Sequence, residues 1–242
     1  TRQIWEQNKL KGSSIGTLGI IYNDQKINSY LTTPQSIDLQ KALSKLSKNG
    51  CKKVIVEASS IGIDQNRLFP IKFNKIAFTN FSRDHLDYHE SMEKYLNSKL
   101  KLFKNHSKEG TIAILNSDDQ KTKAFSEICS IKRIKILDYG KNASFLRIIS
   151  IKKENNKYFV TIKLKDSQYF LKLNFNSSFE IYNLFCAMLL VFGEKLEYNN
   201  FDTLDKLVSP KGRLEKIYDN KFKIFIDYAH TPDALKNVLL TL

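Results

Sequence analysis

Residues 111–140 read TIAILNSDDQKTKAFSEICSIKRIKILDYG. The apolar run TIAILNS (111–117) predicts a buried strand, DQKTKAFSEICS (119–130) a helix, and IKILDYG (134–140) a second strand. Strand, helix and strand in that order imply an α/β sheet, mostly parallel, with helices on its faces. The rhythm extends upstream. KIAFTN (75–80) reads as a strand and SMEKYLNSKLKLF (91–103) as a helix, while KKVIVEAS (52–59) has the continuous apolar run of a strand buried on both faces. Before it, Thr33 as N-cap and Pro34 at the first position open a helix that runs through SIDLQKALSKLSKNG (36–50), with Gly50 as its stop. SIGTLGIIY (14–22) is strand-like, and TRQIWEQNKL (1–10) has helical spacing that ends before Gly12. Downstream the pattern changes. LRIISIKK (146–153), KYFVTIKLK (157–165) and QYFLKLNF (168–175) follow one another as an antiparallel meander, and FEIYNLFCAMLLVFGEKL (179–196) is a largely buried helix. After Ser209-Pro210-Lys211-Gly212 the α/β rhythm restarts, with KIFIDYA (223–229) as strand and TPDALKNVLLTL (231–242) as helix. No internal repeat or low-complexity linker interrupts the chain.

Composition excludes several classes. The 242 residues are 42% hydrophobic, too apolar for a disordered chain. No apolar run approaches the roughly 18 residues of a membrane span, and the polar opening residues do not look like a signal peptide. Cys51, Cys129 and Cys186 are widely spaced, which fits a reducing cytoplasm better than a disulfide framework. The net charge of +14 suggests a nucleic-acid binder only on charge. The basic residues are scattered rather than blocked, which favours a solvated basic surface able to attract an anionic small substrate.

In open α/β sheets ligands bind beyond the carboxyl ends of the strands. Four polar clusters fall there: Glu57, Ser59 and Ser60; Thr79 to His89; Asn116, Asp118 and Asp119; and Asp227 to His230. The second, TNFSRDHLDYH (79–89), holds two of the four histidines. Two histidines four apart can share zinc, but no third nitrogen or sulfur ligand is evident beside His85 and His89.

Seven stretches resemble the Mur ligases, most closely those acting on UDP-N-acetylmuramoyl-L-alanyl-D-glutamate. They are TTP (32–34), EASSxxxDQxR (57–67), FTNFSRDHLDYH (78–89), MEKYxxxK (92–99), NSDD (116–119), GRLE (212–215) and DYAHTPDAL (227–235), in family order and spacing. The resemblance implies a P-loop-NTPase-like central domain over 1–210 and the start of a Rossmann-like C-terminal domain over 211–242. It implies an enzyme that uses ATP to phosphorylate a carboxylate and joins the acyl phosphate to an amine. The product would be a third residue, diaminopimelate or lysine, on UDP-N-acetylmuramoyl-L-alanyl-D-glutamate during peptidoglycan precursor synthesis in the cytoplasm. Magnesium would screen the two anions. No nucleic acid or membrane partner is implied, and a monomer is the expectation. By resemblance, Glu57 and His85 serve the metal, and Lys99, as a carbamate, supports it; these three are the catalytic set. Thr32, Thr33, Ser59, Gln65 and Arg67 map onto substrate binding, and Asn183, Arg213 and Asp227 onto nucleotide binding. The residue types suit these roles: Arg67 can grip an anion with two N–H groups, and Thr33 can instead simply cap its helix.

Three departures stand out. The family usually has histidine where this chain has Ile61, and Asn where it has Glu180. No GxxxxGK[ST] phosphate loop occurs in the sequence, so the chain reads as a fragment that does not turn over alone. A folylpolyglutamate synthetase is the nearest enzyme alternative, disfavoured by the TTP and DQxR elements. A non-catalytic Mur-like domain that holds a nucleotide sugar is the alternative of a different class.

Overall fold

The computed structural model describes every residue except Asp24, Asn156, Thr203, Asp205 and Lys206. A short helix α1 (Arg2–Gln7) leads into β1 (Gly12–Gly16), β2 (Gly19–Tyr22) and β3 (Gln25–Ile27). Helix α2 (Ser36–Lys48) returns the chain to β4 (Lys53–Val56), and the first sheet has the order β3-β2-β1-β4, with β4 parallel to β1. After α3 (Ser60–Asp64) come β5 (Lys75–Phe78), α4 (Leu86–His89), α5 (Met92–Asn105), β6 (Ile112–Asn116), α6 (Thr122–Ile131) and β7 (Lys135–Gly140). Strands β5, β6 and β7 pair in parallel, as the alternation predicts. The meander forms β8 (Leu146–Glu154), β9 (Lys157–Leu164) and β10 (Ser167–Leu173), antiparallel to one another; β8 joins β7 in parallel, which gives the same sheet the order β10-β9-β8-β7-β6-β5. Helix α7 (Ser178–Phe192) follows, and β11 (Glu215–Asp219), β12 (Lys223–Ile226) and α8 (Pro232–Thr241) close the chain.

The larger sheet has a core on each face. On β6, Ile114 joins α7 and the meander, while Ala113 and Leu115 join α2, α5 and α6 through Leu39, Phe103 and Phe125. This is why the parallel strands read as continuous apolar runs. Strand β4 departs from that reading: Lys53 is exposed and Val54 to Val56 are only half-buried. It lies at the edge of its sheet, and it faces the edge strand β5 across a cavity that both line.

Other expectations need correction. Residues 14–22 form a hairpin, not one strand; Thr17 and Leu18 turn the chain and Gly19 takes a φ of +91°. The second helix begins at Ser36 with Gln35 as its N-cap, so Thr33 does not cap it. The Thr33 hydroxyl is committed elsewhere, donating to Glu57 O at 2.7 Å. Gly50, with φ +80°, does follow the end of that helix. Strand β12 pairs with β11 in a separate antiparallel hairpin, and β11 had no clear sequence signal.

Candidate active site

The strand ends are tied together by short hydrogen bonds. Asn116 at the end of β6 donates to Thr79 O at 2.7 Å, and Asp119 accepts from Phe81 N–H at 2.7 Å. Asp118 accepts from Lys141 N–H at 2.8 Å and from the Tyr182 hydroxyl at 2.7 Å, which joins the loop after β7 to α7. The loops that follow β5, β6 and β7 are therefore one connected layer.

Glu57, just past β4, is held by the hairpin turn. Its Oε2 accepts from Thr17 N–H at 2.9 Å and from the Thr17 hydroxyl at 3.1 Å. The close approach requires glycine at position 16, where an added Cβ would stand 2.5 Å from that same oxygen. Glu57 and Lys99 line one cavity of about 260 Å³, with Phe78, Thr79 and Asn80 at the end of β5. Lys99 projects from α5 and its ammonium lies 4.8 Å above the Tyr95 ring. Burial lowers the Lys99 pKa, and the charges of Asp84 and Asp119 oppose that shift. A lysine disfavoured as a cation is the form from which a carbamate can be made.

His85 does not line that cavity among the described residues. It reaches Lys99 indirectly, because its ring stands edge-on to Tyr95 at 6.0 Å. Its backbone is left-handed, with φ 50° and ψ 31°, and its N–H donates to Asp84 at 2.8 Å. The ring Nε2 is 3.5 Å from Asp84, and His230, just beyond β12, approaches the same carboxylate at 3.9 Å. His89 turns away: it is buried, its Nε2 bonds the Ser60 hydroxyl at 2.9 Å, and burial lowers its pKa. The two histidines thus have different partners and do not converge as a zinc pair.

The residues mapped to substrate binding form one network with Glu57. Thr32 meets the Thr17 hydroxyl at 3.1 Å. Thr33 is fully buried and meets the Ser59 hydroxyl at 3.0 Å, and Ser59 in turn caps α3 by accepting from Gly62 N–H. Arg67 is buried, donates to Thr33 O at 3.1 Å and pairs with the Gln65 side chain at 3.0 Å. Thr33 is buried with its hydroxyl occupied and positions the loop, whereas Thr32 and Ser59 are only half-buried.

The residues mapped to nucleotide binding lie apart. Asn183 is exposed and lines a second cavity of about 600 Å³ with Thr1, Glu180 and Lys211; Ile55 of β4 is shared by the two cavities. The Arg213 guanidinium lies 4.9 Å from the Tyr228 ring centre. Both Asp227 oxygens are engaged locally, by Leu214 N–H and Ala229 N–H at 2.7 Å each. Glu180 has a structural reason: it closes a capping box with Ser177 at the start of α7 and accepts from Asn176 N–H at 2.8 Å. Ile61 is half-buried on α3, and nothing in the structure explains the departure there. Thr17 escaped the sequence reading, since its tie to Glu57 spans 40 residues and leaves no local signal.

The sequence matches the model of the Mur ligase middle domain over residues 1–191. It is 36% identical over 233 residues to UDP-N-acetylmuramoyl-L-alanyl-D-glutamate–2,6-diaminopimelate ligase of Aquifex aeolicus, covering 95% of this chain and 47% of that protein. It is 40% identical over 242 residues to the Rickettsia montanensis protein of the same name, covering 96% and 49%. A solved structure of a ligase with that name superposes with a TM-score of 0.83 at 27% identity, covering 99% of this chain and 49% of the other. The chain spans about half the length of the curated relatives it matches. On the family match and these relatives, the chain belongs to the Mur ligases, and its residues 1–191 are a middle domain of that family.

Proposed function

We propose that the protein carrying this chain is an ATP-dependent ligase that adds diaminopimelate to UDP-N-acetylmuramoyl-L-alanyl-D-glutamate, by way of an acyl phosphate, in the cytoplasm. The observation that carries the reading is the joining of Glu57 and a desolvated Lys99 at one cavity, with the Thr32, Ser59 and Arg67 network attached to Glu57. The names of the relatives support diaminopimelate over lysine as the added residue. We also read 1–210 as the nucleotide-binding domain and 211–242 as the opening of a second one, since β11 and β12 form their own sheet.

In this reading Thr32, Ser59, Gln65 and Arg67 hold the anionic dipeptide end. They aim its carboxylate at the terminal phosphate of ATP, which Asn183, Arg213 and Asp227 help to place. The residues fit a magnesium ion, because Glu57 and a carbamylated Lys99 would supply the hard oxygens it prefers, while His85 stands across the Tyr95 ring contact. When bound, the ion would screen carboxylate from triphosphate. Thr17 fixes the Glu57 carboxylate by two donated hydrogen bonds, and the cavity walls from β4 and β5 limit water around the acyl phosphate. Attack by the incoming amine then releases phosphate and leaves the amide.

The test is to supply the full-length protein with ATP, magnesium ions, the UDP-sugar dipeptide and either diaminopimelate or lysine. The expected result is ADP and tripeptide in equal amounts, formed only when every component is present and faster with diaminopimelate. ADP release independent of the sugar dipeptide would overturn the reading.

A further inference from the structure

Tyr95 has no assigned role in the site described so far, yet three of its segments meet on this one ring. Phe81 stacks on it with centroids 4.9 Å apart, His85 stands edge-on at 6.0 Å, and His89 lies tilted at 5.2 Å. The Lys99 ammonium completes the set at 4.8 Å. Phe81 and His85 come from the loop after β5, His89 from α4, and Lys99 from α5 itself. Tyr95 sits one helical turn before Lys99, so the two share a face of α5. The ring is 5% exposed. Its N–H donates to Ser91 O at 3.0 Å, and the Ser91 hydroxyl caps the helix, which pins the residue at its first turn.

We propose that Tyr95 is a positioning residue whose ring, not its hydroxyl, holds Lys99 and His85 in place for the reaction; this rests on the reading of Lys99 given above. Lysine has four rotatable side-chain bonds and would otherwise sample many positions in the cavity. A rigid ring packed against the end of the Lys99 side chain, with a histidine edge against the same ring, restricts both side chains by contact, whatever charge Lys99 carries. The hydroxyl is not needed for this. Burial pushes its pKa up to about 12, so it stays a neutral phenol, and among the described residues no side chain or backbone group is hydrogen-bonded to it.

The experiment follows the Lys99 carbamate directly, by carbon-13 NMR of the metal-free full-length protein in labelled bicarbonate, together with turnover. Lys99→Ala identifies the signal. Tyr95→Phe should keep both the signal and turnover. Tyr95→Leu, which fills much of the space without a ring, should lose roughly 10- to 100-fold in turnover, with a weaker carbamate signal that added bicarbonate partly restores. A plain folding defect would not respond to bicarbonate. If Tyr95→Leu matches wild type in both readouts while Lys99→Ala abolishes both, the positioning role fails and the reading of Lys99 stands. If Lys99→Ala is fully active, that reading itself fails. Should Tyr95→Leu not fold, Tyr95→Phe still decides: loss of the signal in folded Tyr95→Phe would overturn the claim that the ring suffices.

Discussion

Lys99 illustrates how environment, rather than residue type, sets chemistry. Carbamylation consumes a neutral amine, and an ordinary lysine has little of it near neutral pH because its pKa is 10.5. Burial lowers that pKa here, so the neutral fraction at any pH below 10.5 exceeds that of a solvated lysine. The sign follows: the carbamate signal should rise with pH and reach half its maximum below pH 10.5, in a bicarbonate-saturated titration of the full-length protein. A midpoint at or above 10.5 would contradict the desolvated site. Thr33 shows the opposite limit. A threonine before a proline looks like a helix cap, and only the bonds to Glu57 O and Ser59, 24 and 26 residues away, reveal that its hydroxyl is occupied.

At the scale of elements, α7 shows how a helix packed into one of the two cores is held at both ends. Ser177 and Glu180 close its start, and Lys75 of β5 donates to the carbonyls of Leu189, Leu190 and Val191 at its end. Glu180→Ala should therefore destabilise the protein by about 0.5–2 kcal/mol in denaturant unfolding, with the KM for ATP unchanged. An altered KM with unchanged stability would assign Glu180 to the nucleotide instead. The elements most legible in the sequence were β5 through β7 and the meander, because strands covered on both faces or alternating on one leave strong patterns. Strand β4 looked as buried as its neighbours, but position in the sheet, which no local pattern encodes, puts it on an edge. The 14–22 hairpin was hidden because its first arm, GSSIG, is mostly small residues with no strand alternation and the turn is only two residues long. For the site, the clusters at strand ends could be read directly, while Thr17, which fixes Glu57, was invisible without the fold.

At the scale of the molecule, two facing sheet edges, β4 and β5, enclose the cavity that Glu57 and Lys99 share, and Ile55 links it to the larger cavity beside Asn183. Asp84, between His85 and His230, brings the segment after β12 toward the same layer of loops. This arrangement suits a reaction in which a carboxylate and a triphosphate are brought together from two sides and an amine arrives third. The central claim is that the carboxylate oxygen attacks phosphorus before the amine attacks carbon. Labelling the substrate carboxylate with oxygen-18 tests it most directly. In the full-length protein turning over with ATP and diaminopimelate, one labelled oxygen should appear in the inorganic phosphate for each amide formed. Phosphate free of label, alongside normal amide product, would contradict the account.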